Sequence, residues 1–114
     1  MRDCLFCKIV KGELPATRVL ESPDWVAFRD IDPKAPVHVL VVPRRHIATL
    51  NELTPGDAGL VGQLVLAARE IAQREGIAGP GYRLVLNCNA GAGQTVFHIH
   101  LHLLGGRPFN WPPG

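Results

Sequence analysis

Three of the chain's histidines fall in one heptapeptide, His98-Ile99-His100-Leu101-His102-Leu103-Leu104. In an extended chain side chains alternate between faces, so His98, His100 and His102 share one side and Ile99, Leu101 and Leu103 the other. The apolar set is expected to face a core and the histidine set a cleft. A single histidine in a strand is an ordinary structural residue. Three in alternation are not, because the imidazoles repel one another whenever more than one is protonated and pack no better than valine would. Two chemistries suit such a row. Residues i and i+2 of a strand can both reach one zinc ion, but the outer pair stand roughly 13 Å apart at about 3.3 Å per residue, so three histidines cannot easily share a metal. In the other chemistry the central imidazole attacks an electrophile such as phosphorus while its neighbours hold charge and position.

The residues just before the row favour the second chemistry. Asn87-Cys88-Asn89-Ala90-Gly91-Ala92-Gly93-Gln94-Thr95 supplies glycines, amides and a hydroxyl. Glycines let backbone N–H groups approach an anion closely, and Asn87, Gln94 and Thr95 add donors for phosphate oxygens or a leaving group. An ordinary strand connection can have the same composition. Beside the histidine row, with Thr95 three residues from His98, the anion-binding reading gains.

Positioning these residues requires strands and a helix to back them. Residues 4–11 read as a short helix or turn closed by Gly12 and Pro15. Arg18–Glu21 and Trp25–Arg29 read as strands around a Ser22-Pro23-Asp24 turn, and His38–Val42 as a central strand ended by Pro43. One long helix is predicted from about Pro55 to Glu75, capped by Thr54 and stopped by Gly76. Its apolar stripe is Val61, Leu64, Val65, Ala68, Ile71 and Ala72. Residues 82–87 and 96–104 read as two further strands. Strands, one helix and strands again indicate an α+β domain with an antiparallel sheet, a single domain over 1–114.

The composition sets bounds on partners. The chain has 114 residues, 46% hydrophobic and 19% charged, ordinary proportions for a soluble globular protein. Net charge is +2 and only Arg44-Arg45 places basic residues side by side, far from the stripe that a nucleic-acid polymer needs. No apolar run approaches the ~20 residues that span a membrane. The first twelve residues carry Arg2, Asp3, Lys8 and Lys11, with no apolar signal-peptide core, so a cytoplasmic location is expected. Reducing compartments rarely keep disulfides. Cys4 and Cys7 therefore read as a metal or redox C-x-x-C pair, and Cys88 as a small buried side chain.

The row His98–Leu104 resembles the signature of the histidine-triad (HIT) family of nucleotide hydrolases and transferases. Three further stretches are similar to its Hint branch: His38–Ile47, Gly81–Asn87 and the ending Gly105–Gly114. The resemblance covers essentially the whole chain. The resemblance implies a five-stranded antiparallel sheet with one long helix, paired in a homodimer into a ten-stranded sheet. It also implies purine nucleoside phosphoramidase activity, with His100 attacking the α-phosphorus and carrying the nucleotidyl group until water releases it. His102 would contact phosphate, and His38 would support positioning or proton transfer. Asn87, Gly93, Gln94 and Thr95 would line the phosphate and leaving-group side, Thr95 standing where the branch often has serine. Asp30 would hold the ribose hydroxyls, although a turn residue before Ile31-Asp32-Pro33 would look the same. Phe6, Ile9, Phe28 and Ile31 would flank the purine, and Trp111 would reach toward the partner subunit's site.

Cys4, Cys7, His46 and His98 make a Cys₂His₂ set suited to a closed structural zinc, as in microbial proteins resembling this one. The alternatives are two reduced cysteines packed near the first helix, or a redox pair, which lacks its usual βαβ setting. The chemistry itself would require no cofactor. Other functions remain in view: a dinucleoside polyphosphate hydrolase or nucleotidylyltransferase using the same covalent step, a nucleotide-binding regulatory adaptor, and a metal-dependent hydrolase. The Gly105–Gly114 ending argues against the first of these.

Overall fold

The run Val37–Pro43 (β3) is β-branched at four of its seven positions, and β-branched side chains pack well on a pleated surface. In the computed structural model, which describes residues 3–114, it is the central strand of a five-stranded antiparallel sheet. Met1 and Arg2, the start of the stretch lacking a signal-peptide pattern, lie outside the described residues. The other strands are β1 (Arg18–Glu21), β2 (Trp25–Arg29), β4 (Tyr82–Val85) and β5 (Leu101–Gly105). Their order across the sheet is β1-β2-β3-β5-β4. The α+β reading and all five strands are therefore found, with the last two shorter than expected.

Each face of the sheet has its own cover. The long helix α2 (Ala58–Arg74) buries Leu64, Ala67, Ala68, Ile71 and Ala72 against Val39, Val41, Ile99, Leu101 and Leu103. The expected stripe was partly misplaced. Val65 is 42% exposed and Val61 half-buried, while Ala67 points inward, because the stripe that meets the sheet is narrow. Before α2, Pro55–Asp57 forms a 3₁₀ turn, and the Asp57 carboxylate accepts from the Thr54 backbone N–H at 2.9 Å and hydroxyl at 3.2 Å. Thr54 and Asp57 thus fix the helix entry together.

On the opposite face the short helix α1 (Leu5–Val10) lays Phe6 and Ile9 over Val26, Phe28, Leu40 and Val42. It covers only the β2–β3 part of that face, which leaves the β5–β4 part free of helix. The chain leaves β5 through a tight exit. A Cβ on Gly105 would overlap the Ile77 side chain, and one on Gly106 would fall 2.9 Å from Pro36 Cβ at a φ of +89°. Only glycine suits both positions. Among the described residues no helix is long and apolar enough to cross a membrane.

The two faces of α2 should respond differently to truncation. Leu64→Ala, at a position 1% exposed, is expected to cost about 2–5 kcal/mol in urea unfolding. Exposed Gln63→Ala should stay within about 0.5 kcal/mol. Equal losses at the two positions would contradict the packing described.

Candidate active site

His98 and His100 precede β5 and are not part of it. The predicted strand from residue 96 begins only at Leu101, and before it the His98 carbonyl accepts the ring Nδ1–H of His100 at 2.8 Å. Ile99 is tied to Ile47 by its own N–H at 2.8 Å. Regular pairing begins at Leu101, opposite Val41. The three histidines do not all face one cleft, as alternation had suggested. His98 is fully buried and turns toward Cys4 and Cys7, while His100 and His102 line an open pocket.

Hydrogen bonds to the backbone fix the ring tautomers along the row. His100 gives Nδ1–H to a carbonyl, which leaves its Nε2 with the lone pair. The Lys34 backbone N–H donates to His38 Nδ1 at 3.0 Å, so His38 carries its proton on Nε2. His38 Nε2 lies 2.9 Å from His102 Nδ1, toward which its proton points, and Asp30 Oδ2 lies 3.5 Å from His38 Nε2. His102 in turn carries its proton on Nε2. The row therefore presents a bare nitrogen on His100 next to a donor on His102, with the two rings 4.9 Å apart.

Burial favours the neutral state of these rings. It holds His102 down to about 4, helped by the neighbouring His100 and His38. His38 is lowered by burial against the opposing pull of Asp30, and His100 by burial against the His98 carbonyl and Asp30.

The pocket is about 340 Å³ and combines the row with an apolar wall. Phe6, Ile9, Phe28 and Ile31 line it as expected, and Asp30 and Thr95 lie on it. Leu14, Pro15, Ala16 and Leu40 line it too; the first three sit in a linker whose composition gives no sign of this role. Asp30 takes the turn role, its Oδ1 accepting the Asp32 N–H at 2.8 Å, while its Oδ2 faces His38. The Phe6 ring meets His100 edge-on at 4.9 Å, joining the apolar wall to the row.

The loop residues divide differently from expectation. Gln94 does not offer its amide to the pocket. It is buried, accepting from Asn89 N–H at 2.7 Å and donating to the carbonyls of Ala48 and Val96 at 2.8 and 3.1 Å. It is the buckle of the loop, and its polar capacity is largely spent there. Gly93 takes a left-handed conformation at φ +96° that ends the short 3₁₀ turn and does not line the pocket. Asn87 lines a second cavity beyond His102. Trp111 is 82% exposed and does not line the pocket of its own chain. Cys88 is half-buried, not the core residue expected.

Cys4, Cys7, His46 and His98 do converge, with one potential ligand atom from each within 4.8 Å of the others. His98 gives Nε2–H to the Pro43 carbonyl at 2.7 Å, so its Nδ1 lone pair faces the sulfurs at 3.4 and 3.5 Å. His46 Nδ1 is 3.2 Å from Cys7 Sγ. Burial, with Cys4 alongside, pushes the Cys7 thiol up to about 11. Two thiols and two imidazoles aimed at one point suit a tetrahedral, soft-ligand cation.

Comparison with known proteins agrees with this geometry. The HIT domain family model matches residues 11–109. An uncharacterized HIT-like protein of Synechocystis is 52% identical, covering 98% of this chain and 97% of that one. The purine nucleoside phosphoramidase of Escherichia coli K12 is 44% identical, covering 93% and 89% respectively. The crystal structure of a HIT family hydrolase from Legionella pneumophila superposes with a TM-score of 0.97 at 54% identity, over 98% of this chain and all of that one.

An unfolded imidazole titrates near 6.5. As pH falls from about 6.5 toward 4, the unfolded chain takes up a proton that folded His102 refuses, so stability is lost across that window. Thermal melts from pH 7.5 to 4.5 should show Tm falling, less steeply in His102→Asn. A Tm that stays flat would contradict a buried neutral His102.

Proposed function

This chain belongs to the HIT domain family and is a hydrolase, and we propose that it is a purine nucleoside phosphoramidase working through a nucleotidyl-histidine intermediate. The observation that carries this reading is the ring of His100, tied at Nδ1 to the His98 carbonyl with Nε2 bare in a nucleoside-sized pocket. The purine lies among Phe6, Ile9, Phe28 and Ile31, with the ribose diol on Asp30, where a carboxylate can accept both hydroxyls. The α-phosphate then rests between His100 and the Nε2–H of His102.

In the first step His100 Nε2 bonds to phosphorus as the P–N bond to the amine breaks. The departing nitrogen keeps the bonding pair and takes a proton through the Thr95 hydroxyl or a water beside it. The positive charge left on the His100 ring is stabilised by the carbonyl that holds its Nδ1–H. Charge growing on the phosphoryl oxygens is met by the His102 donor, which His38 holds in line. In the second step water bonds to phosphorus, the bond to His100 breaks, and the water proton passes to solvent. AMP leaves and the neutral imidazole is restored.

Cys4, Cys7, His46 and His98 would hold a structural zinc, joining the segment before α1 to the residues around β5. Its contribution would be folding free energy, and neither covalent step runs through it. A homodimer with a ten-stranded sheet fits the free edge of β4, with Trp111 reaching the partner's site. Two free thiols in a metal-type cluster fit a reducing, cytoplasmic setting.

Release of AMP from adenosine 5′-phosphoramidate is the expected activity. His100→Ala should lower it at least about a thousandfold, the scale of losing a nucleophile, while AMP still binds. Absence of turnover in folded, AMP-binding protein would overturn the phosphoramidase reading and leave the polyphosphate hydrolase or the adaptor. Metal analysis should give about one zinc per chain, lost together with several degrees of Tm in Cys7→Ser. A metal-free wild-type protein with the same Tm as the Cys7→Ser variant would contradict a structural zinc.

A further inference from the structure

The two residues between the paired thiols belong to the nucleoside pocket. Cys4 and Cys7 enclose Leu5 and Phe6, both of which line it, and the Phe6 ring meets His100 edge-on at 4.9 Å. Helix α1 has only six residues, too few to keep a helical shape without outside contacts. Its C-terminal end is tied by Arg18, which donates to the Ile9 carbonyl at 2.8 Å. Its N-terminal end is tied by the sulfurs. Both face His98 Nδ1, at 3.4 and 3.5 Å, and Cys7 Sγ faces His46 Nδ1 at 3.2 Å. The thiol cluster therefore anchors the end of α1 that carries Leu5 and Phe6.

This cluster is open to small molecules on one side. Cys7 is 7% exposed, but Cys4 and His46 lie on an open cavity of about 420 Å³ among the described residues. The Cys4 sulfur also accepts the Cys7 backbone N–H at 3.3 Å, which keeps it over the first turn of α1 beside the second thiol.

We infer that Cys4 and Cys7 form a peroxide-sensitive switch, whose closure to a disulfide expels the bound zinc and loosens the pocket wall at Leu5 and Phe6. The inference rests on the zinc and AMP-binding parts of the proposed function, and goes beyond them by giving the metal centre control over nucleotide binding. The Cys4 thiolate attacks one peroxide oxygen and becomes a sulfenic acid, releasing hydroxide. The Cys7 thiolate attacks that sulfur, forms the S–S bond and releases a second hydroxide. Two electrons pass from the sulfurs to the peroxide, and two protons from solvent turn both hydroxides into water. His46 and His98 alone are too few ligands to retain zinc. Drawing the sulfurs to about 2.05 Å from each other turns them away from the imidazoles and re-angles the residues between them. His98 stays in place, because its Nε2–H remains on the Pro43 carbonyl at 2.7 Å, and His100 keeps its carbonyl partner. The switch thus acts on binding and not on the nucleophile.

The test treats the zinc-loaded protein with hydrogen peroxide. It follows zinc released to a chelating dye, the Cys4–Cys7 disulfide by peptide mass, and the Kd for AMP. Zinc and disulfide are expected in equal amounts, with the Kd rising about tenfold, the scale of one lost aromatic contact. Dithiothreitol with added zinc should restore the original Kd. Cys88→Ser should respond as the wild type does, since that thiol lies outside the cluster. Disulfide formation and zinc loss with an unchanged Kd overturn the control of binding while leaving the zinc site intact. Zinc that stays bound under peroxide, or a Cys88→Ser variant that no longer responds, overturns the switch itself. Folded protein that neither carries nor takes up zinc, or that does not bind AMP, overturns the reading beneath it and the inference together.

Discussion

A neutral imidazole has one nitrogen that donates and one that accepts, and a pocket that presents it must settle which is which. Here a main-chain carbonyl does so, since the His98 C=O takes the Nδ1–H of His100. A carbonyl cannot donate, so the assignment has no competing form. The bond sits just ahead of the sheet, since β5 starts at Leu101. The residues before it are free to turn, and His98 can face the thiols while His100 faces the pocket. One hydrogen bond of 2.8 Å thus joins the backbone of the thiol-facing His98 to the ring of the pocket-facing His100.

The sheet carries opposite requirements on its two faces. Under α2 the contacts are apolar and closed, and no polar chemistry is asked of them. The other face is shared between a small helix, which supplies aromatic and aliphatic wall, and open ground where imidazoles and guanidinium groups collect. His38 and His102 stand on adjacent strands at the border between the two. His38 pairs with Leu104 and His102 with Leu40, so their rings meet diagonally on one face. Rigid central strands hold them, which is why a 2.9 Å contact between two neutral rings can be maintained without a flexible loop.

Much of this was legible from residue types. Alternation correctly separated Ile99, Leu101 and Leu103 from the histidines, because burial on one face is what the pattern encodes. The Phe6–Ile9 and Phe28–Ile31 pairs, Asp30 and Thr95 were located by resemblance and meet in one pocket. Period alone could not show that His98 would face the thiols, where its ring is held by the Pro43 carbonyl; the Cys₂His₂ set read from the sequence did place it there. Gln94 shows a related limit. An amide in a glycine-rich loop looks like a ligand donor, yet here it satisfies three backbone groups that would otherwise be unpaired. The cavity beyond His102 was not anticipated for a different reason: Arg83, Arg107 and Phe109, on its wall, are brought together by β4–β5 pairing and the return of the tail, contacts between distant parts of the chain.

The paired glycines after β5 have a consequence for how such a protein can diversify. With Ile77 on one side and Pro36 on the other, the backbone leaves the sheet along one route whatever follows. Residues 107–111 are thus delivered to the same place before their identities matter. A lineage, or a designer's library, can sample new side chains on that stretch without re-solving the path of the chain. Path and chemistry are assigned to different residues, so changes on that stretch can accumulate one position at a time.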